Sequence, residues 1–426
     1  MLNTYDRIGG AAIACMRLWE ALKMQNVNVN LLVQEGRIES PLGGVYYLVQ
    51  GPFSYKLAQL RLFLNKAYLY FYDKNKGLNF AFEAPFFGAR LSTLPLIQKS
   101  DILHLHWVNH GFISFSTLRE FQKLKKKIVW TLHDMWAFTG GCYYSQGCEY
   151  YRKACGNCFF LKRPKPNDFS HRLWKKKYEL YAHLDLTIVT CSKWLAECAA
   201  QSSLLKDKRI VTIPNPLNTE IFKPMDKVAV RQKLGLPQDK YLLIFASAKI
   251  EDRRKGFTFF QKALEQLRSI DPNWNEHRIA IVLLGKSGAH AFSSIEGYSV
   301  YYLGNLETEE SIAQAYSACD ILINPSLADN LPNTIMEAMA CGVPVVAFST
   351  GGIPEMVMHQ KNGFLVPTGS SEGLAEGIRF LLSDLERYAH IQNAAIQFVH
   401  QNYSYSLVAK CYLTLYQEIL ANAYRQ

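Results

Sequence analysis

The stretch NPSLADNLPNTIMEAMACGVPVVAFSTGGIPEMV (324–357) carries the signals of a strand, a turn, a helix and a second strand in close order. An apolar run ends at Pro325–Ser326, and a polar turn follows. Apolar spacing then predicts a helix that begins near Asn333 and stops at Gly342. PVVAFS (344–349) reads as the next buried strand. Asp329 in the turn and Glu337 on the helix stand eight residues apart, so both can face a ligand at the helix N-terminus. The free backbone N–H groups and the helix dipole there favour an anion such as phosphate.

Outward from this segment, short apolar runs alternate with amphipathic stretches, the pattern of parallel sheets covered by helices. VNVNLLV (27–33), DILHLHW (101–107), KIVWTLH (127–133) and DLTIVTC (185–191) predict strands in the first half. YLLIFAS (241–247), RIAIVLLG (278–285), YSVYYLG (298–304) and DILINPS (320–326) predict strands in the second. Helical spacing runs from Ala11 to Leu22. The proline-interrupted TIPNPLNTEIFKP (212–224) has no regular period and marks a join. For 426 residues with 49% apolar content, the expectation is an α/β chain of two Rossmann-like parallel-sheet domains, 1–213 and 214–400, facing each other across a cleft. The tail 401–426 carries Val408, Cys411, Leu415 and Ile419 at helical intervals and predicts a helix that packs back on the first domain.

A Rossmann domain opens with a buried strand leading into a glycine turn, here Gly9–Gly10. Only Met1–Ile8 precede that turn, so the first strand is expected to be largely missing and the true start to lie upstream of Met1. The formal charge of +11 fits nucleic acid, an anionic membrane surface or an anionic substrate, and does not choose among them. No apolar run of signal-peptide kind opens the chain, and no stretch approaches the ~20 apolar residues that span a bilayer. A cytoplasmic protein with mostly reduced cysteines is expected, its membrane contact peripheral on the inner face.

The motif PS-x2-D-x7-E-A-x3-G-x-P-V, from Pro325 to Val345, resembles the Glu-x7-Glu signature of the retaining glycosyltransferases of family 4, which have the two-domain architecture called GT-B. The wider resemblance covers nearly the whole chain, through IGGAA (8–12), DILHLHW, TLHDMWAFTGGC (131–142), IPNPLNTEIFKP and RRKGF (253–257). Its nearest subgroup resembles enzymes that assemble bacterial capsule, exopolysaccharide and O-antigen. The resemblance implies that Glu337 bonds the nucleotide ribose. Asp329, where the broader family has glutamate, would contact the donor sugar near the backbone amides of Asn330 and Leu331. Lys255 matches the family lysine that neutralises the departing diphosphate, with Lys249 as the shifted counterpart of its arginine and Arg253 and Arg254 nearby. Backbone amides at Gly9 and Gly10 would face the same diphosphate.

The first domain then becomes the acceptor side and the second the donor side. His106 is the counterpart of the family's strand-end histidine, and His133 with Asp134 ends the next strand at the acceptor edge. His104 and His106 alternate along one strand and are expected on opposite faces, with His104 buried. The resemblance implies a UDP- or GDP-linked sugar, a saccharide or lipid-linked saccharide acceptor, no catalytic metal and no dedicated protein base.

Cys142, Cys148, Cys155 and Cys158 form C-x5-C-x6-C-x2-C within seventeen residues, a spacing open to a structural zinc or to reduced thiols. Cys15, Cys191, Cys198, Cys319, Cys341 and Cys411 read as small buried residues. Leu57, Leu60, Leu64, Ala67 and Phe71 recur at helical spacing among Lys56, Arg61 and Lys66. With KLKKK (123–127) and RLWKKKYELY (172–181), they read together as a surface for anionic lipid, and singly as solvated helices. No nucleic-acid module is present. Two rival readings remain: a sugar-nucleotide epimerase of the same architecture, which turns over donor without acceptor, and a non-catalytic sugar-nucleotide-binding scaffold.

Overall fold

The computed structural model describes residues 1–36, 43–72, 81–287 and 294–421. It divides into two compact units, Met1–Pro214 with Val408–Gln426, and Asn215–Leu407.

Unit 1 is built on seven parallel strands: β1 (Leu2–Tyr5), β2 (Leu31–Glu35), β3 (Val45–Tyr47), β4 (Ile102–Leu105), β5 (Lys127–Leu132), β6 (Leu186–Thr190) and β7 (Arg209–Thr212). Their order across the sheet is β3-β2-β1-β4-β5-β6-β7. The central place expected to be largely missing is filled: β1 pairs with β2 on one side and with β4 on the other. Four residues suffice because only Leu2 to Tyr5 need span the sheet before the chain turns into α1 (Gly10–Met24). The strand expected over 27–33 begins instead at Leu31, because Val27 still bonds back to Leu22 at the end of α1. The core gathers Leu103, Leu105, Ile128, Trp130, Leu132 and Ile188 under the helices α2 (Pro52–Tyr70), α3 (Pro95–Gln98), α4 (Phe115–Lys123), α5 (Phe169–Tyr181) and α6 (Lys193–Gln201).

Unit 2 carries six parallel strands and a two-residue antiparallel edge. They are β8 (Tyr241–Lys249), β9 (Ile279–Lys286), β10 (Ser294–Ile295), β11 (Tyr298–Gly304), β12 (Ile321–Asn324), β13 (Val345–Phe348) and β14 (Phe364–Val366), in the order β10-β11-β9-β8-β12-β13-β14. Strands buried on both faces read as continuous apolar runs, and β8 does so from Leu242 to Ala246. The covering helices are α7 (Lys227–Leu234), α8 (Phe257–Ile270), α9 (Glu309–Ser317), α10 (Asn333–Ala340), α11 (Ser371–Leu382) and α12 (Leu385–Tyr403).

The last helix, α13 (Tyr405–Ala421), spans the junction at Val408, and residues 422–426 of the expected tail helix lie outside the described residues. Its buried face runs through Val408, Tyr412, Leu415 and Ile419, which leaves Cys411 exposed rather than buried, because 412 and not 411 continues that stripe. Cys198 is likewise only half-buried. Two expected basic runs also change character. KLKKK is the end of α4 and a turn into β5, with Lys125 at φ 51°. In RLWKKKYELY, on α5, Lys177 is wholly buried.

In each sheet the order reverses at one point, between β1 and β4 and between β8 and β12, and such switch points leave an open crevice at the carboxyl ends of the strands. At the amino ends of β8 and β12, opposite that second crevice, Asp320 ties the two strands together. Its carboxylate pairs with Arg231 at 2.7 Å and Lys227 at 2.8 Å and accepts from the Leu242 N–H of β8 at 2.6 Å. Truncating one partner of a buried ion pair leaves the other uncompensated. Asp320→Ala is therefore expected to cost about 3–5 kcal/mol, read as a lower urea midpoint; a change within ±0.5 kcal/mol, the scale of an ordinary surface substitution, would show that the cluster does not hold the strands.

Candidate functional site

At the β8–β12 switch point two loops meet. The chain leaving β8 runs through Asp252 to Lys255 and enters α8 at Gly256, and the chain leaving β12 runs from Pro325 to Asn330 before α10. Gly256 has φ +73°, and a Cβ there would stand 1.9 Å from the Pro325 carbonyl oxygen, so only glycine permits the approach. Gly351 packs the same way against the Asp329 carbonyl, where a Cβ would stand 1.8 Å away. The Leu327 N–H donates to the Arg254 carbonyl at 2.8 Å and closes the contact between the loops.

This packing brings Asp329 to Lys255. Lys255 Nζ lies 2.5 Å from Asp329 Oδ2, and Arg254 lies 3.7 Å from the same oxygen while donating to the Ala328 carbonyl at 2.8 Å. The Asn330 N–H donates to Asp329 Oδ1 at 3.1 Å. Burial alone would raise the Asp329 carboxyl, but Lys255, Arg254 and the Asn330 amide outweigh it and hold it below the ordinary aspartate value. Burial draws the Lys255 ammonium below the usual lysine value, against the pull of Asp329. The pair is thus an ion pair beside Arg254, which also pairs with Asp252 at 3.3 Å.

α10 starts without a side-chain cap, since its N-cap is Pro332. Glu337 sits on this helix with only 5% exposure, and Asn330 and Leu331 are buried in the preceding turn. Lys249 lies at the exposed end of β8, and Arg254 is the basic residue that reaches Asp329. Asn324 at the end of β12 was not singled out by its sequence pattern, and its Oδ1 is buried with no hydrogen-bond partner. A lone asparagine after an apolar run gives no signal of this until the strand is placed.

At the β1–β4 switch point of unit 1 the chemistry differs. Gly9 caps α1 without a side-chain bond and Gly10 begins it, both exposed. His106 is buried, its Nδ1 lying 3.2 Å from His133 Nε2. His104 is buried as its alternation predicts, between Tyr416 at 2.6 Å and Thr131 at 2.7 Å. The two rings are not on opposite faces: their centroids are 4.3 Å apart. β4 ends at Leu105, so the period-two rule no longer governs His106. Asp134 accepts from the Trp107 indole at 3.2 Å and from the Trp136 N–H at 2.8 Å. Trp107 stacks on Tyr5 and on Tyr143, with centroids 6.1 Å apart in each case, and His110 packs edge-on to Trp107 at 4.7 Å. Beside this wall Glu83, buried, accepts from the His110 N–H at 3.2 Å. Tyr5, Glu83 and Tyr143 come from three distant segments, which explains why no local motif announced them.

Among the described residues no group of three or more His, Cys, Asp or Glu side chains is arranged to hold a metal ion as it stands, and no helix is long and apolar enough to cross a membrane. The four clustered cysteines nevertheless line one cavity together.

Residues 8–221 match the family model described as Glycosyltransferase Family 4, and residues 240–384 match that of Glycosyl transferases group 1. The chain belongs to glycosyltransferase family 4. Among its relatives in that family, the putative colanic acid biosynthesis glycosyl transferase WcaC of Escherichia coli K12 is 28% identical over 277 residues, 63% of each chain. A D-inositol 3-phosphate glycosyltransferase of Mycobacteroides abscessus is 29% identical over 225 residues, 50% of this chain and 47% of that one. The family 4 chain thus spans about half to three-fifths of the length of the curated relatives it matches. The crystal structure of Anabaena HepE in complex with UDP shares its GT-B fold, with a TM-score of 0.62 at 18% identity over 98% of both chains.

Burial sets the titration of unit 1's crevice. It pushes His104 and His106 well below the ordinary histidine value, and His110 and His133 down to about 4. Unfolded histidines take up protons from about pH 6.5, so below that pH the unfolded chain binds more protons and stability falls as pH drops toward about 4. Glu83 has the opposite sign: burial raises it to about 7, and its contribution grows on acidification. Four histidines against one carboxyl predict a net loss. The urea midpoint should fall between about pH 7 and pH 5, and Glu83→Gln should steepen the fall; a rising midpoint would contradict the placement of these rings.

Proposed function

We propose that the chain transfers a sugar, with retention of anomeric configuration, from a UDP- or GDP-linked donor to a saccharide acceptor, lipid-linked, in the synthesis of cell-surface polysaccharide. The observation that carries this reading is the Asp329–Lys255–Arg254 cluster beside the uncapped start of α10. Breaking a glycosyl–phosphate bond leaves a second negative charge on a nucleoside diphosphate. Two cations and a helix N-terminus supply preorganised compensation where that charge develops. Glu337 takes the ribose hydroxyls. Asp329 exchanges its bond to Lys255 for a donor-sugar hydroxyl as the diphosphate takes over the ammonium. The exposed amides at Gly9 and Gly10 offer the same kind of anion contact on unit 1, with Lys249 in reserve at the end of β8. No residue is assigned as base, the departing phosphate being placed to accept the acceptor's proton. Family membership and the UDP bound to HepE, a protein of the same fold, support the nucleotide assignment. The capsule-type role draws on WcaC, whose name places it in colanic acid synthesis.

On the acceptor side, Asp134 holds the Trp107 indole while His106 and His133 bond each other, and the aromatic wall offers faces for a sugar ring. The test is transfer to lipid-linked acceptors from a panel of UDP- and GDP-sugars. Lys255→Met is expected to lower kcat about a hundred- to thousand-fold, and Glu337→Gln to weaken nucleotide binding while the thermal melt holds. Wild-type rates in both variants would overturn the assignment. Donor turnover without acceptor would point to the epimerase, and nucleotide binding without either reaction to the scaffold.

A peripheral membrane location on the inner face is supported by α2, on which Phe53 is 82%, Phe63 65% and Tyr70 62% exposed, followed by Phe71 at 77%. The helix is pinned to unit 1 by Asn65, which exchanges two hydrogen bonds with the backbone of Phe87 at 2.9 and 3.0 Å, leaving those rings outward beside Lys56. Cosedimentation with phosphatidylglycerol vesicles should fall at least about tenfold for Phe53→Ser with Phe63→Ser, since the loss of as few as two buried CH2 equivalents at roughly 0.8 kcal/mol each suffices for that. Equal binding by the double variant would remove α2 from this role.

A further inference from the structure

We propose that Cys142, Cys148, Cys155 and Cys158 bind one structural zinc ion that staples the loop 139–160 to the body of unit 1. The site stands apart from the transfer reaction and survives the failure of that reading.

All four cysteines line a single cavity, together with Thr139 and Gly140. Cys155, Gly156 and Asn157 take φ 50°, 105° and 47° in succession, a tight turn between the two ends of C-x2-C. The Gly140 N–H donates to Cys155 Sγ at 3.1 Å, and an amide directed at a sulfur favours a thiolate. The cavity wall is held from outside: Asp168 accepts from the Cys158 N–H at 2.8 Å, and Phe82 bridges to Cys142.

Charge supplies the independent observation. Lys177 on α5 is fully buried, its Nζ bonding the Trp136 and Thr139 carbonyls. Zinc bound by four thiolates releases four protons and leaves a net charge of −2 on the same side of unit 1 as this buried ammonium.

As the side chains stand, no three of them are grouped to hold an ion. Binding therefore draws the sulfurs in around the cavity to about 2.3 Å from the metal. Because Tyr143 follows Cys142 and stacks on Trp107, the metal also fixes one face of the aromatic wall.

The test is metal analysis of the full chain, purified under reducing conditions without chelator, together with titration of the reduced, metal-free protein with Co2+. About one zinc per chain is expected, with the thiolate-to-cobalt charge-transfer and intense visible bands of a tetrahedral tetrathiolate. Cys155→Ser and Cys158→Ser should each lower the zinc content to under about a tenth of an equivalent, while Cys411→Ser leaves it unchanged. The wild-type titration keeps the proposal open to refutation where a variant fails to fold. Zinc below about a tenth of an equivalent, with only the weak spectrum of six-coordinate cobalt, would overturn it. So would a tetrathiolate spectrum that persists in Cys155→Ser.

Discussion

The buried pairing of Lys255 with Asp329 is the constraint around which unit 2's crevice is arranged. Taking two charges out of water costs several kcal/mol per ion before their attraction returns it, and the fold meets that cost with added bonds. Arg254 approaches the same carboxylate, the Asn330 amide serves its other oxygen, and two glycines let the loops close to contact. Arg254 also pairs with Asp252 at 3.3 Å, so two cations and two carboxylates share this corner of the loops that precede α8 and α10.

Much of this was legible in the sequence because it is local. The segment 324–357 announces a strand, a turn and a helix through Pro325, Asn333 and Gly342, and the structure sets β12, α10 and β13 there. Long apolar runs such as YLLIFAS and RIAIVLLG become central strands because nothing else buries both of their faces. Short or edge strands escaped: β3, β7 and β14 have three or four residues each, and apolar runs as short as Phe364–Val366 do not stand out from the loops around them. β1 was underestimated for a related reason, since the length a strand needs depends on its neighbours, and Leu2 to Tyr5 meet theirs in full.

The residues whose surroundings were not legible share a cause, which is that burial is decided by distant segments. Glu337 has the spacing of a half-exposed helix acid, and the packing of α10 leaves it almost wholly covered. Lys177 sits in a run of lysines that looks solvated, yet it reaches carbonyls some forty residues away, at Trp136 and Thr139. His104 and His106 obey strand alternation only while the strand lasts. Sequence periodicity reports which face a residue is on, and it is silent on what the rest of the chain lays over that face.

The two crevices occupy equivalent places in two sheets of the same kind, and their contents are not interchangeable. In unit 2 the strand ends meet basic residues and an uncapped helix, a setting for a leaving group that gains charge. In unit 1 they meet aromatic faces and histidines that burial keeps neutral, with Asp134 spent on orienting an indole. The division of labour in the proposed reaction therefore follows from which charges each half of the chain places at its switch point, on a backbone plan that the two halves share.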